Sequence, residues 1–302
     1  MDETGFVGTG TIGGPMALRL IEQGWRLRVF DRDPQASAAA CAAGATRAAS
    51  VAELARDCPT VLLSLPGPAQ IEAVVADADG LLAHADALST IVDLSTNALA
   101  LNRRLAAQAA AAGVNYLDAP VSGGRQAARA GGLAVMVGGD AAAFEQVRPL
   151  LAALATNLFH LGPAGAGTLA KLVNNQVFLC ASVLVQEAFV LGARAGMAPT
   201  DLLAVLKASS AGPVVARAPL TLSRNFDAGI FALDIAAKDI ALALEAAAAL
   251  DVPTPLTTAA HGVYQQALAQ GLGSADFQAT IKVLEAAAGI TLPALRRPEK
   301  PA

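Results

Sequence analysis

The chain has 302 residues, 54% of them hydrophobic and 15% charged, which suits a soluble globular protein of about two domains. Its net charge of −4 and its 4% aromatic content argue against a nucleic-acid partner, because such proteins usually present a basic patch and aromatic stacking platforms. The three cysteines and three histidines are widely spaced, which favours neither a disulfide framework, a metal site nor a serine–histidine–acid triad. The chain enters a strand-like run at once, without a basic leader, which favours a cytoplasmic protein.

The first half of the chain alternates short apolar runs with longer alanine-rich segments. Several runs end in Gly, Asp, Pro or Ser, where strands typically stop. The segments between them, such as Ile12–Gln23 and Leu99–Ala112, have the length and composition of helices. This alternation predicts βαβ units and a mostly parallel sheet with helices on both faces, with ligands beyond the carboxyl ends of the strands. The predicted strands are Thr4–Val7, Arg26–Phe30, Thr60–Leu65, Thr90–Leu94, Asn115–Ala119, Leu133–Val137 and Asn157–His160.

The pattern changes after the glycine-rich segment Gly162–Gly167, and the rest of the chain has the pattern of helices throughout. We therefore expect an α/β fold in which a Rossmann-type domain, residues 1–162, is followed by an all-α domain, residues 163–302, joined by a long helix. The stretch Thr168–Gln186 contains a single charged residue and approaches the length of a membrane span. Because it also contains several amides and a serine, we interpret it as the buried spine of a domain or dimer and expect no membrane insertion.

A glycine-rich turn, Gly-Thr-Gly-Thr-Ile-Gly, follows the first predicted strand and opens the first helix. In this context Gly8, Gly10 and Gly13 allow a tight turn, close approach of the backbone to a pyrophosphate, and close packing of helix on strand. The helix N-terminus supplies N–H groups and the positive end of its dipole to the same anion. The motif predicts a dinucleotide site that also includes Thr11 and Ile12.

The second predicted strand is followed by Asp31, which lies 18 positions after Gly13. An acidic residue about 20 positions after such a turn binds the adenosine ribose hydroxyls and repels a 2′-phosphate, which favours NAD over NADP. The adjacent Arg32 keeps NADP open, because a guanidinium can bind a phosphate, and Asp31 could instead cap the next helix. Leu65 and Pro66 form a proline-rich turn after another strand, which could contact the cofactor or be a turn only.

Lys171 is the strongest candidate for catalysis, because it is the single charge in an apolar predicted helix beside the interdomain turn. Asn174 and Asn175 come three and four positions later, on the same helical face. An apolar environment favours the neutral amine, which suits a group that accepts and donates a proton. A lysine whose stem packs on the core while its ammonium group reaches water is an equal alternative on the residues alone.

Ser122, Gly123 and Gly124 come just after a predicted strand end. Backbone N–H groups and a hydroxyl at such a position can bind a carboxylate. The alternative is a flexible turn without a ligand.

Five separated blocks, in this order, resemble the β-hydroxyacid dehydrogenase family along nearly the whole chain. Together they are far more specific than any one of them alone. The resemblance implies a homodimer or homotetramer that transfers a hydride between a nicotinamide cofactor and a small 3-hydroxy acid or the matching semialdehyde. The blocks are Gly8–Ala17, Asp93–Thr96, Asp118–Gly124, Gly167–Asn175 and Lys238–Asp239.

The resemblance also implies individual roles. It implies that Ser122–Gly124 bind the substrate carboxylate, that Asn175 holds a substrate oxygen, and that Lys171 exchanges the hydroxyl proton. It places Thr96 near the nicotinamide and Lys238 on the cofactor side of the cleft.

Some of these positions allow other interpretations. Thr96 could instead cap the next helix, and Lys238 could pair with Asp234, four residues earlier. Arg125 stands where family members often have a small or apolar residue, so it could bind a second acidic group of the substrate or simply face water.

Two rival functions stay open at this point. One is an NADP-dependent reductase of short semialdehydes on the same fold, for which Arg32 would bind the 2′-phosphate. The other is a non-catalytic protein that senses dinucleotides, for which Lys171 would be dispensable.

Overall fold

The computed structural model describes residues 3–227 and 231–295. They belong to two compact units, Met1–Leu172 and Val173–Ala302. The first contains two β-sheets, and the second is helical. The Rossmann-type sheet followed by helices confirms the predicted fold class.

Six strands of the first unit form a parallel sheet. In chain order they are β1 (Thr4–Val7), β2 (Leu27–Phe30), β3 (Thr46–Arg47), β4 (Thr60–Leu63), β5 (Thr90–Asp93) and β6 (Asn115–Asp118). In space their order is β3-β2-β1-β4-β5-β6, and each neighbouring pair is parallel. The strand order reverses between β1 and β4, which is where Rossmann folds bind their ligands. The two-residue β3 was not predicted, because two exposed residues contain no apolar pattern.

Helices pack on the sheet of the first unit, and the two whose ranges were predicted, Ile12–Gln23 and Leu99–Ala112, agree with the structure to within one residue at each end. The α1 helix buries Met16 and Leu20 with Phe6 of β1 in one apolar core. The helices are α1 (Gly13–Glu22), α2 (Ala38–Ala42), α3 (Val51–Asp57), α4 (Pro68–Ala76), α5 (Leu99–Ala111), α6 (Gly124–Ala130) and α7 (Ala141–Ala152). Asp140 caps α7, since its Oδ1 accepts a hydrogen bond from the Ala143 N–H at 2.8 Å.

The last two predicted strands belong to a separate, smaller sheet rather than to the main one. This sheet contains β7 (Val121–Ser122), β8 (Leu133–Val137) and β9 (Ala155–His160), with β7 antiparallel to β8. Only two residues join β6 to β7, which is too short for the crossover that a further parallel strand requires. The expectation of a single sheet was therefore wrong at this end.

The long helix α8 (Ala166–Arg194) begins in the first unit and continues into the second. A Cβ on Gly167 would lie 2.1 Å from the Met136 carbonyl oxygen, so the helix start touches the backbone of β8. This close packing explains why the first turns of α8 belong to the compact unit that ends at Leu172. The domain boundary between residues 162 and 163 stays a prediction.

The second unit is built from the rest of α8 and further helices. Its core buries Phe189, Tyr264 and Phe277. Arg224 makes a bidentate pair with the nearly buried carboxylate of Glu285, at 2.5 and 2.9 Å. The helices are α9 (Pro199–Ala208), α10 (Ala218–Leu222), α11 (Leu233–Ala249), α12 (Pro255–Ala269) and α13 (Ile281–Ala288), with 3-10 turns at Val214–Arg217 and Phe277–Thr280.

Among the described residues, α8 is the one helix long and apolar enough to span a membrane by length and composition, with a mean hydropathy of 1.7. Of its apolar window, 39% is buried within the chain. Four large apolar side chains are exposed at spacings of four, seven and seven residues, which places them on one stripe of the helix. This stripe consists of Val173, Val177, Leu184 and Leu191. The interpretation of α8 as a dimer spine stays a prediction.

Candidate active site

The glycine turn between β1 and α1 has a shape that only glycine permits at two positions. Gly8 has a φ of +89°, and a Cβ there would lie 2.2 Å from the Ser64 carbonyl oxygen. A Cβ on Gly13 would lie 1.8 Å from the Gly8 carbonyl oxygen, so helix and turn pack in direct contact. A Cβ on Gly10, in contrast, would meet no atom within 4 Å. The turn is therefore closed on its protein side and open at Gly10, which fits the pyrophosphate of a dinucleotide.

The start of α1 also suits an anion. The N-cap position of the helix is Ile12, which has no side-chain acceptor for the first N–H groups. Thr11 and Gly10 are exposed beside it. Backbone N–H groups and the positive dipole end of α1 are thus directed toward the open side of the turn.

Asp31 lies directly after β2 and contacts this turn. Its Oδ2 accepts hydrogen bonds from the Thr9 N–H at 2.7 Å and the Thr9 hydroxyl at 3.3 Å, and its Oδ1 accepts from the Asp33 N–H at 2.9 Å. The next helix begins only at Ala38, so the alternative that Asp31 caps it was wrong. The carboxylate is half-buried and fixed beside the glycine turn, whereas Arg32 is exposed.

The loops after β4 and β5 are joined by a hydrogen bond from the Leu65 N–H to Ser95 Oγ, at 2.9 Å. Leu65 is half-buried, and Pro66 beside it is exposed. Thr96 is half-buried next to Ser95. The N-cap position of α5 is Ala98, with no side-chain hydrogen bond, so the alternative that Thr96 caps this helix was wrong.

Asp93, the last residue of β5, is a fully buried carboxylate, which the sequence analysis named within the block Asp93–Thr96 but gave no role. Its Oδ1 accepts a hydrogen bond from the Ser95 N–H at 3.0 Å, and its Oδ2 accepts from the Tyr116 hydroxyl at 2.9 Å. Burial raises the pKa of Asp93 to about 6, against the lowering effect of the hydrogen bonds from Ser95 and Tyr116. An acidic residue that ends a buried strand was the available signal for this residue.

Asp118 ends the neighbouring strand β6 and is paired in register with Asp93. It is fully buried, and burial raises the pKa of its carboxyl group despite hydrogen bonds from Gly165 and Thr168. Its Oδ1 accepts from the Gly165 N–H at 2.8 Å, and its Oδ2 accepts from the Thr168 N–H at 2.7 Å. Asp118 therefore holds the start of α8 from within the first unit.

Lys171 lies in α8 three residues after Thr168, still within the first unit. Its exposed fraction is 9%, so the lysine is buried rather than extended into water. This burial argues against the alternative of a lysine whose ammonium group reaches solvent.

Ser122, Gly123 and Gly124 form the end of β7 and the start of α6. Gly123 and Gly124 have φ values of +142° and +75°, conformations that other residues rarely adopt. Ser122 is half-buried and pairs with Ala134 of β8, so the block is an ordered turn with exposed backbone at Gly123. Arg125 follows in the first turn of α6 and is exposed.

A polar cluster in the second unit contains the remaining predicted residues. Asn175 is 3% exposed, and its Nδ2 donates to the buried Asp239 Oδ2 at 2.8 Å. Lys238 Nζ donates to Asp239 Oδ1 at 2.6 Å, and the exposed Asn174 donates through Nδ2 to Asn175 Oδ1 at 3.0 Å. The two amides, predicted on one helical face, thus differ in burial. Asp239 was named in the block Lys238–Asp239, but no role was predicted for it.

Within residues 3–227 and 231–295, no group of three or more His, Cys, Asp or Glu side chains could hold a metal ion.

Two protein families match successive parts of the chain. Residues 3–162 match the NAD binding domain of 6-phosphogluconate dehydrogenase. Residues 165–284 match the family described as NAD-binding of NADP-dependent 3-hydroxyisobutyrate dehydrogenase.

Proteins that match over nearly their full length are also named as dehydrogenases. The 2-(hydroxymethyl)glutarate dehydrogenase of Eubacterium barkeri is 36% identical over 95% of this chain and 96% of its own length. The NAD-dependent L-serine dehydrogenase of Pseudomonas aeruginosa is 37% identical over 96% of this chain and 100% of its own. The solved 3-hydroxyisobutyrate dehydrogenase of Mycobacterium tuberculosis with L-serine superposes with a TM-score of 0.86 at 32% identity, over 94% of this chain and 99% of that one.

The parallel sheet, the glycine turn and these matches define a nicotinamide-dependent oxidoreductase. The chain belongs to the β-hydroxyacid dehydrogenase family. It is an enzyme that transfers a hydride between a nicotinamide cofactor and the CH–OH group of a small hydroxy acid. The interpretation as a non-catalytic dinucleotide sensor was therefore wrong.

Proposed function

We propose that the chain oxidises a small 3-hydroxy carboxylate with NAD, and that Lys171 is its general acid and base. Its relatives are named for 2-(hydroxymethyl)glutarate, L-serine and 3-hydroxyisobutyrate. These three compounds share a hydroxymethyl group on the carbon next to a carboxylate. A substrate of this chemistry is the class that we assign to this chain.

The observation that supports this proposal best is the burial of Lys171, with 9% of its surface exposed, one turn after the anchored start of α8. A neutral amine in such a place can accept the proton of the substrate hydroxyl during oxidation, and the ammonium form can return it during reduction. NAD, when bound, accepts the hydride from the carbon that carries the hydroxyl group. The remaining steps of binding and proton transfer belong to the protein.

The turn formed by Ser122, Gly123 and Gly124 is the proposed site of the substrate carboxylate. Both glycines have positive φ values, Gly123 is exposed, and a Cβ on Gly124 would meet no atom within 4 Å, so the backbone of this turn is open to a ligand. Asn175 is the proposed partner of a substrate oxygen, because Asp239 fixes the orientation of its amide. Asn174 would support Asn175 through its hydrogen bond.

The proposed cofactor contacts come from the glycine turn and its neighbours. Gly8, Gly10, Thr11, Ile12 and Gly13 would bind the pyrophosphate. Asp31 would accept hydrogen bonds from the adenosine ribose, which favours NAD over NADP because the carboxylate repels a 2′-phosphate. Leu65, Pro66, Thr96 and Lys238 would line the rest of the cofactor site, and an NADP-dependent semialdehyde reductase, with Arg32 on the phosphate, is the alternative.

The test is steady-state oxidation of 3-hydroxyisobutyrate, L-serine and 2-(hydroxymethyl)glutarate with each cofactor. We expect turnover of at least one of these with NAD, and a fall in kcat of about 10²–10⁴-fold for Lys171→Ala, the usual effect of losing a general acid–base group. The matched control is Lys207→Ala on the exposed side of α9, which should keep the parent activity. A Lys171→Ala enzyme within about tenfold of the parent would contradict the mechanism.

Arg125 suggests a preference within this substrate class. It is exposed one residue after the proposed carboxylate turn, and one relative is named for a substrate with two carboxylates. We propose that Arg125 binds the second carboxylate of such a substrate. Arg125→Ala should then raise the KM for 2-(hydroxymethyl)glutarate by about tenfold or more and leave that for L-serine unchanged, given about 1.5–3 kcal/mol for a hydrogen bond to a charged group. An unchanged ratio of the two KM values would refute this role.

We also propose a soluble, cytoplasmic homodimer or homotetramer. The exposed stripe of α8, with Val173, Val177, Leu184 and Leu191, would pack against a second copy of the chain. Light scattering after gel filtration should give at least twice the monomer mass, and Leu184→Glu should lower it. A monomeric parent protein would refute the assembly.

A further inference from the structure

We propose that Asp118 is a positioning residue, whose buried carboxylate holds the first turn of α8 and thereby fixes where Lys171 stands. This inference rests on the proposed role of Lys171 as the group that exchanges the substrate proton. Asp118 itself is not proposed to contact substrate or cofactor. It belongs to the end of β6, 53 positions before Lys171 in the chain.

The contacts of Asp118 are those of a helix cap supplied by a distant strand. Its Oδ1 accepts from the Gly165 N–H at 2.8 Å, and its Oδ2 accepts from the Thr168 N–H at 2.7 Å. The first N–H groups of a helix have no partner inside the helix, so these two bonds satisfy donors that burial would otherwise leave costly. The carboxylate also faces the positive end of the helix dipole, which strengthens the interaction.

Close backbone packing keeps the start of α8 from sliding past this carboxylate. A Cβ on Gly138 would lie 2.7 Å from Asp118 Oδ1, and a Cβ on Gly167 would lie 2.7 Å from the Asp118 carbonyl oxygen. Neither position has room for a side chain. Asn102 adds a second anchor, since its Nδ2 donates to Thr168 Oγ1 at 2.9 Å in a buried setting.

Lys171 follows Thr168 by three residues, so it lies on the same face one turn further along α8. The helix rises about 1.5 Å per residue, which puts the anchor and the lysine about 4.5 Å apart along the axis. A tilt or shift of the first turn therefore displaces the lysine by nearly the same distance. Misplacing a reacting group by about 1 Å can cost about 10²-fold in rate.

The test variant is Asp118→Asn, which keeps the shape of the side chain and removes its charge. The amide oxygen can still accept one of the two N–H groups, but the amide nitrogen presents a donor to the other. We expect kcat to fall about 10–100-fold while the KM for NAD stays within about threefold. An unchanged kcat would overturn the proposal, as would a loss that lies entirely in the KM for NAD.

The control is Asp140→Ala, because Asp140 also caps a helix with its carboxylate but does so on α7. Alanine is used there because asparagine would keep the single cap bond, and both variants should unfold at a lower temperature. Only Asp118→Asn should lose kcat. Equal losses of kcat in the two variants would mean that general destabilisation, rather than placement of Lys171, explains the effect, and would overturn the proposal.

A double-mutant cycle separates this inference from the proposed function on which it rests. If Asp118 acts through Lys171, Asp118→Asn should change kcat by less than about twofold in a Lys171→Ala background. Losses that multiply would overturn the positioning role. Near-parent activity of Lys171→Ala would refute the catalytic lysine itself, whereas a defective Lys171→Ala beside a fully active Asp118→Asn would refute only the positioning role of Asp118.

If Asp118→Asn does not fold, Thr168→Pro replaces it. Proline has no N–H group and is tolerated in the first turn of a helix, so this change keeps the carboxylate but deletes its bond from the Thr168 N–H, together with the bond from Asn102 to the Thr168 hydroxyl. The same fall in kcat is expected, and an unchanged kcat would overturn the proposal.

Discussion

The parent protein should lose stability in its first unit as the pH rises, and the Asp93→Asn variant should not. The free energy of unfolding of the variant should therefore increase relative to that of the parent. The carboxylate of Asp93 is fully buried and has a pKa of about 6, raised from its usual 3.8 by burial. Because the folded state binds this proton more tightly than the unfolded state, stability from this group is present in full below about pH 3.8 and is lost as the pH rises to about 6. Above that pH the ionised carboxylate is a constant cost, which the neutral amide does not have.

The magnitude comes from the two pKa values. A difference of about two units corresponds to about 3 kcal/mol when fully expressed, of which about 2 kcal/mol develops between about pH 4.5 and 7.5. Asparagine keeps the size of the side chain, an acceptor for the Ser95 N–H and a donor for the Tyr116 oxygen. For a unit of this length, about 2 kcal/mol corresponds to a shift in Tm of about 4–8 °C.

The assay uses Trp25, the single tryptophan of the chain, which packs on the core of the first unit. Its fluorescence reports thermal unfolding of that unit at each pH. The control is Tyr116→Phe, which deletes the phenol donor but keeps the carboxyl group, so its stability should fall with rising pH at least as steeply as that of the parent. The reasoning fails if the Tm difference between Asp93→Asn and the parent stays constant over this pH range.

Three further outcomes are expected from single contacts. Gly13→Ala places a Cβ 1.8 Å from the Gly8 carbonyl oxygen, so NADH binding measured by fluorescence should weaken at least about tenfold; unchanged affinity would contradict this. Asp31→Ala should lower kcat/KM for NAD by about 10–100-fold and leave that for NADP unchanged or higher, and a parallel fall for both would count against ribose recognition. Arg224→Ala leaves the buried Glu285 carboxylate without its cation, so calorimetry should show a fall of about 3–5 kcal/mol in the free energy of unfolding of the second unit. An unchanged free energy of unfolding would contradict this.

Local spacing made much of the fold predictable. The five longer strands of the main sheet, β1, β2, β4, β5 and β6, agree with the predicted runs to within one or two residues, because each is a buried run with turn residues at its end. The glycine turn was recognisable because its three glycines stand at fixed offsets behind a strand. Lys171 was recognisable because a single charge in an apolar helix is unusual whatever the helix packs against.

The tertiary structure alone decided which polar groups meet. Asp118 bonds to residues 47 and 50 positions away, and Asn175 bonds to Asp239, 64 positions away. The separate small sheet was also not predictable, because the two-residue connection between β6 and β7 prevents β7 from joining the main sheet as a parallel strand. No periodicity or motif encodes such pairs, because they are set by how strands and helices stack.

The sequence by itself therefore determined the Rossmann class, the dinucleotide turn and the residue proposed for proton transfer. What it could not determine is that the first turns of α8 belong to the sheet-containing unit, where a buried carboxylate from β6 holds them. The physical reason is the range of the interactions. Strands, turns and helices are set by residues a few positions apart, whereas the buried carboxylate of Asp118 is stabilised by hydrogen bonds from groups that folding brings to it from far along the chain.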